Sequence, residues 1–105
     1  RVIVAGESGG GNLSLATALA MKRAGEIGRI SGIYALCPYI KGQWSDEDGG
    51  SVTQNRGILL DLHVDNGAVG YGIEALAARD PLAWPAFAGE DDLKGLPKVK
   101  IGVNE

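Results

Sequence analysis

Five consecutive residues carry the chemistry this sequence offers. Gly6-Glu7-Ser8-Gly9-Gly10 has the G-x-S-x-G spacing, in which a serine stands between two glycines at the bend where a strand turns into a helix. Chemistry at such a bend is nucleophilic: the hydroxyl projects from the backbone, a neighbouring base takes its proton, and the oxygen attacks a carbonyl carbon to give a covalent acyl intermediate. The glycines have a physical reason. A bend this sharp brings backbone too close for side chains two residues either side of the serine, so glycine is expected to be required at both Gly6 and Gly10.

Other readings of the same residues fail on particular positions. Aligned as a phosphate-binding loop from Gly6, with Gly11 as its second glycine, the sequence has Asn12 where the phosphate-reaching Lys belongs and Leu13 where a Ser or Thr would hold magnesium. A dinucleotide fingerprint is interrupted by Glu7-Ser8. A plainer reading makes Ser8 an ordinary helix N-cap. Asn12-Leu13-Ser14 matches a glycosylation sequon but falls inside the helix that follows the bend, where it is expected to be silent. Asp46 and Asp48 suggest a calcium loop, yet the Gly and the terminal Glu of such a loop are missing, and a solvated acidic loop is the expectation there.

The elements that would position the serine are legible in the hydrophobic pattern. Residues 1–5, RVIVA, form a β-branched run that reads as a parallel strand buried on both faces. From Gly10 the pattern becomes helical, with Leu13, Ala16, Ala20 and Met21 on one face. Lys22, Arg23 and Gly25 supply a C-terminal signal for that helix. Residues 30–36, ISGIYAL, give a second strand closed by Cys37-Pro38, which completes a βαβ unit. Residues 41–57 read as a surface excursion, and residues 59–78 as a helix weakened by Gly67, Gly70 and Gly72. Two internal prolines predict irregular structure over 80–97, and residues 98–103, KVKIGV, predict a third strand.

Composition narrows the function classes. Seventeen glycines in 105 residues is more than double the usual share of roughly 7%, which fits a chain of many tight turns. Ten basic against 13 acidic side chains, scattered rather than clustered, give a net charge of −3 and argue against a nucleic-acid partner. One Cys cannot form an internal disulfide, and one His with one Cys cannot complete a zinc site; the cysteine usage leans towards a cytoplasmic protein. No apolar run has bilayer length and no targeting pattern is visible. Arg1 leads straight into a strand and the sequence stops just after another, so both ends read as cuts through a larger domain.

The segment GESGGGNL, together with AWPAFAGEDDLKGLPKVKIGVNE, resembles the hormone-sensitive-lipase family of α/β-hydrolases, and within it the bacterial brefeldin A esterase type. The likeness runs along nearly the whole chain. It implies a three-layer α/β/α fold with a mainly parallel sheet, of which residues 1–105 form one incomplete domain carrying the nucleophile elbow. It also implies a serine esterase acting on a small-molecule ester, without metal or cofactor. Carried over residue by residue, Ser8 is the nucleophile and the backbone N–H of Gly9 an oxyanion donor. Many relatives have Ala at the position of Gly9. Gly6, Glu7 and Gly10 support the elbow, with Glu7 expected to fix the turn through hydrogen bonds rather than to act as a base. In the family the catalytic Asp follows directly on the Val-Asn-Glu strand end, the His comes later and a His-Gly-Gly oxyanion motif comes earlier; this sequence contains none of the three.

His63 and Asp80 are poor substitutes, since the fold's triad runs Ser, acid, His in chain order and both precede the last strand. Tyr39, Trp44 and Trp84 are candidates for a pocket wall, with loop packing as the equal alternative. Cys37 is expected to be a buried small hydrophobe beside a strand end. The function implied is ester hydrolysis through an acyl-enzyme. The competing reading is a non-catalytic small-molecule binding protein or receptor on the same scaffold, because the family also contains a plant hormone receptor.

Overall fold

The computed structural model describes residues 1–43, 50–55, 57–58 and 66–104. Strand β1, Val2–Glu7, runs into helix α1, Gly9–Arg23, which returns to strand β2, Ile30–Leu36. The two strands pair in parallel with Val4 opposite Ile33 and Glu7 opposite Leu36. Parallel neighbours need a crossover of this kind, and α1 supplies it. Strand β3, Lys98–Gly102, then pairs in parallel with the other edge of β2, Val99 opposite Ile33, giving the order β1-β2-β3.

Helix α1 packs on one face of the sheet, over β1 and β2. Ala18, Ile30 and Ile33 are buried together, with Val4, Leu15, Met21, Ile27 and Leu96 packed around them. The helix stops where the sequence signals it should: Gly25 has φ 73°, Glu26 N–H donates to Met21 O at 2.7 Å and Gly25 N–H to Lys22 O at 3.0 Å. That pair of bonds satisfies the last carbonyls of the helix through a left-handed residue.

Two expectations are corrected and two are refined. Strand β1 is not buried on both faces: Val2 is 54% and Ile3 70% exposed. Helix α1 lies on one face only, and β1 has no partner on its outer edge among the described residues. The surface excursion over 41–57 contains a one-turn helix, α2, Ser51–Gln54, while residues 44–49 and 56, Trp44, Asp46 and Asp48 among them, lie outside the described residues. The helix expected over 59–78 is described as α3, Asn66–Ala77, broken at Gly72, whose φ of 154° and ψ of 78° leave the helical region; residues 59–65, including His63, are outside the described residues.

The stretch 80–97 is not irregular throughout. A 3₁₀ turn at Pro85–Phe87 has the proline at its start, where its missing N–H costs nothing. It is followed by a short helix, α4, Glu90–Leu93. Gly89 N–H donates to the Asp92 carboxylate at 3.0 Å, and the acidic residues sit at the helix's positive end. This region forms a second apolar cluster of Ala68, Leu76 and Trp84, bordered by Tyr39, Ala75, Ala83 and Phe87.

Candidate active site

Ser8 sits between the end of β1 and the start of α1 with φ 53° and ψ −114°. A non-glycine residue there carries strain of about 1–3 kcal/mol, which persists only where the surroundings over-determine it. They do. Ser8 N–H donates to Leu36 O at 2.9 Å, continuing the β1–β2 ladder past the strand end. Its carbonyl accepts both Asn12 N–H at 3.1 Å and Tyr39 N–H at 3.0 Å.

The serine side chain is exposed and does not cap the helix. Among the described residues its hydroxyl has no hydrogen-bond partner, so the N-cap reading fails and the oxygen is left facing outward. Gly9 N–H is one of the orphan donors of the first turn of α1 and is not taken by any carbonyl among the described residues. No acidic residue lies in that first turn. The helix's partial positive charge is therefore free to act on an anion forming beside Ser8.

Gly6 is required as expected: a Cβ added there would overlap the carbonyl of Gly10. Gly10 is not required in the same way, because a Cβ there meets nothing within 4 Å. The second close approach lies one residue later, at Gly11, where a Cβ would stand 2.9 Å from Pro38 Cβ and 3.0 Å from Pro38 Cα. Gly9 also has open space, so Ala at that position is sterically allowed. The hydrogen bonds expected from Glu7 are absent among the described residues: its side chain is exposed on the last residue of β1.

Behind the bend, Asn12 is 3% exposed. Its amide Nδ2 donates to Tyr39 O at 2.8 Å and to Ala83 O at 3.0 Å. The sequon that begins with Asn12 is therefore out of reach of a modifying enzyme. Ser14 is equally buried and donates to Gly10 O at 2.8 Å.

Tyr39 and Trp84, two of the three aromatic candidates, are brought together. Their rings meet edge to face at 5.6 Å, and Tyr71 also meets Trp84 edge to face, at 5.2 Å. These rings, with Gly9 and Leu13, line a cavity of about 260 Å³ that shares the Gly9 wall with the serine bend. Trp84 itself is fully buried, so it serves as a packing centre as much as a wall. Tyr71 was not visible as a candidate because nothing in the spacing of α3 links it to a loop residue thirteen positions on. Asp80 closes a local turn, accepting Leu82 N–H at 2.9 Å, and Cys37 is only partly buried, at the end of β2 with φ 41°.

The chain matches the profile of the α/β-hydrolase fold over residues 1–105. No curated protein matches it. Among solved structures, esterase Est22 is 61% identical over 100% of this chain with a TM-score of 0.90, both in its own right and with p-nitrophenol. A serine-to-alanine mutant of Est22 is 60% identical with the same coverage and TM-score of 0.90. Brefeldin A esterase, described as a bacterial homologue of human hormone-sensitive lipase, is 43% identical over 99% of the chain with a TM-score of 0.85. The chain spans 31% of the length of each of these esterases. A strained serine bend between a parallel strand and its crossover helix, in a sequence that aligns with these proteins from end to end, places the chain in the α/β-hydrolase fold family.

Proposed function

We propose that the full-length protein hydrolyses carboxylic esters through an acyl-enzyme formed on Ser8. The observation that carries this reading is the outward, unbonded hydroxyl of Ser8 at a positive-φ bend, with the unpaired N–H of Gly9 beside it. The Ser8 oxygen adds to the ester carbonyl as a base takes its proton, the oxyanion is held by Gly9 N–H and by the N-terminal end of α1, the alcohol leaves with that proton, and water, activated by the same base, releases the acid. The described residues contain no imidazole, so a histidine base would lie outside them.

The relatives support the same reading. The presence of p-nitrophenol in a structure of Est22 makes p-nitrophenyl esters the natural assay substrates.

The test is a fluorophosphonate probe and a p-nitrophenyl ester applied to the full-length protein and to Ser8→Ala. Labelling of Ser8 and ester turnover, both abolished in the variant, are expected. A wild-type protein that neither labels nor hydrolyses would instead favour a ligand-binding protein on the same scaffold. The 105-residue chain alone is expected to turn over little or no ester, since loss of a catalytic base costs several orders of magnitude.

A further inference from the structure

We infer that Asn12 is a positioning residue for the nucleophile: its buried side-chain amide ties the turn after β2 to the serine bend and so keeps Ser8 in its strained conformation. The atoms form a short closed circuit. Tyr39 N–H donates to Ser8 O at 3.0 Å and Tyr39 O accepts Asn12 Nδ2 at 2.8 Å, so both polar backbone atoms of one residue are fastened to the bend and the first turn of α1. Asn12 N–H donates to the same Ser8 carbonyl at 3.1 Å. The second amide hydrogen reaches Ala83 O at 3.0 Å, adding the loop that carries Trp84.

The orientation of the amide is decided by its neighbours. Turned over, it would set an oxygen against two carbonyl oxygens. As placed, Oδ1 is buried with no partner among the described residues. A buried acceptor left unpaired is costly, so what the side chain contributes here is its two donors. Neither Asp nor Ala supplies them. Asn12→Asp keeps the shape but sets carboxylate oxygens against the carbonyls of Tyr39 and Ala83, and Asn12→Ala removes the tie.

The consequence for activity rests on the ester-hydrolase reading; the consequence for the backbone does not. In the full-length protein, Asn12→Asp and Asn12→Ala are compared with Ile33→Val, a truncation in the core beneath α1 that touches neither the bend nor the turn. Fluorophosphonate labelling of Ser8 is expected to slow by about tenfold to a hundredfold in the Asn12 variants, as a small displacement of a reacting group can do. The ester kcat should fall by a similar factor, with KM changing much less, while Ile33→Val labels at the wild-type rate.

Amide hydrogen exchange reads the tie directly. Tyr39 N–H should be protected in the wild type and lose about tenfold or more of that protection in the Asn12 variants, but not in Ile33→Val. Wild-type labelling rates in both Asn12 variants, or slowing no greater than that of an equally destabilised Ile33→Val, would overturn the proposal. So would a freely exchanging Tyr39 N–H in the wild type, a measurement that needs no variant to fold. A wild-type protein that does not label sinks the esterase reading alone, because Tyr39 exchange still decides the tie.

Discussion

At the scale of single residues, the elbow works by crowding, and the crowding is uneven. Gly6 faces the Gly10 carbonyl and Gly11 faces Pro38, whereas Gly9 and Gly10 face open space. Gly6→Ala in the full-length protein is therefore expected to be the most damaging of the glycine substitutions. The new methyl meets backbone, which cannot swing aside, and overpacking of this kind costs about 1–3 kcal/mol or more. Gly11→Ala should be intermediate, because Pro38 has to give way. Gly10→Ala should be neutral or slightly stabilising, by up to about 1 kcal/mol from helix propensity. Thermal midpoints of the three variants, ranked in that order, check the reading; a Gly10→Ala as harmful as Gly6→Ala would contradict it. The five-residue motif announced Ser8 and Gly6 because their spacing is local. The role of Gly11 was hidden, since its constraint comes from Pro38, twenty-seven positions away. Asn12 was legible only as the wrong residue for a phosphate loop and as the start of a silent sequon, although an Asn one turn into a mostly apolar helix was a signal in its own right.

At the scale of elements, β1, α1 and β2 were readable because each has one unmixed pattern, a β-branched run or a helical period, and because Gly25 marks the helix stop. Gly25 at φ 73° makes a further prediction: Gly25→Ala should destabilise the full-length protein by about 1 kcal/mol, the penalty of a Cβ in the left-handed region. Helix α4 is not legible in the same way, because the prolines before and after it point to irregular structure and its Gly-Glu-Asp-Asp start signal opens only a single turn. Its anchoring gives a pH dependence. Asp92 accepts Gly89 N–H, and that bond holds its carboxyl below the usual carboxylate value against the opposing effect of desolvation. Arg23, 3.4 Å away, and Lys22 act in the same direction as the bond. Lys22 Nζ also donates to the carbonyls of Asp91 and Asp92, fastening α4 to the end of α1. A lowered folded pKa means the stabilisation is complete above the unfolded value, about 3.9, and is lost as pH falls through the folded one. Asp92→Asn should thus lower the melting temperature at neutral pH, with the gap to wild type closing as pH drops below about 4 and shrinking in high salt. A gap that stayed constant down to pH 2 would show that the charge is not involved.

At the scale of the whole molecule, the same sheet that positions Ser8 leaves much of its apolar surface uncovered. Leu93, Val99 and Ile101 are 40–52% exposed and line a groove of about 350 Å³ beside α1, on the face that α1 only partly covers. Val2, Ile3 and Val103 are 54–74% exposed, and the outer edges of β1 and β3 are unpaired among the described residues. The radius of gyration is 14.6 Å, against about 13 Å for a compact domain of this length, so the chain is extended for its size. In the esterases it matches, this stretch is 31% of the chain, and a parallel sheet with bare edges and a bare face is a template for further pairing. The 105-residue chain produced alone is expected to self-associate, seen as a rise in apparent mass with concentration by light scattering. Ile3→Lys, which sets a charge on the exposed edge strand without touching the core under α1, should reduce that association. The same substitution in the full-length protein should destabilise it, because β1 carries the bend and a longer protein has the means to cover that edge. A 105-residue chain that stayed monomeric across concentrations and unfolded cooperatively would mean the site is held by this stretch alone, and the strain at Ser8 would have to be sustained by the ties of Leu36, Asn12 and Tyr39 without help from the rest of the sheet.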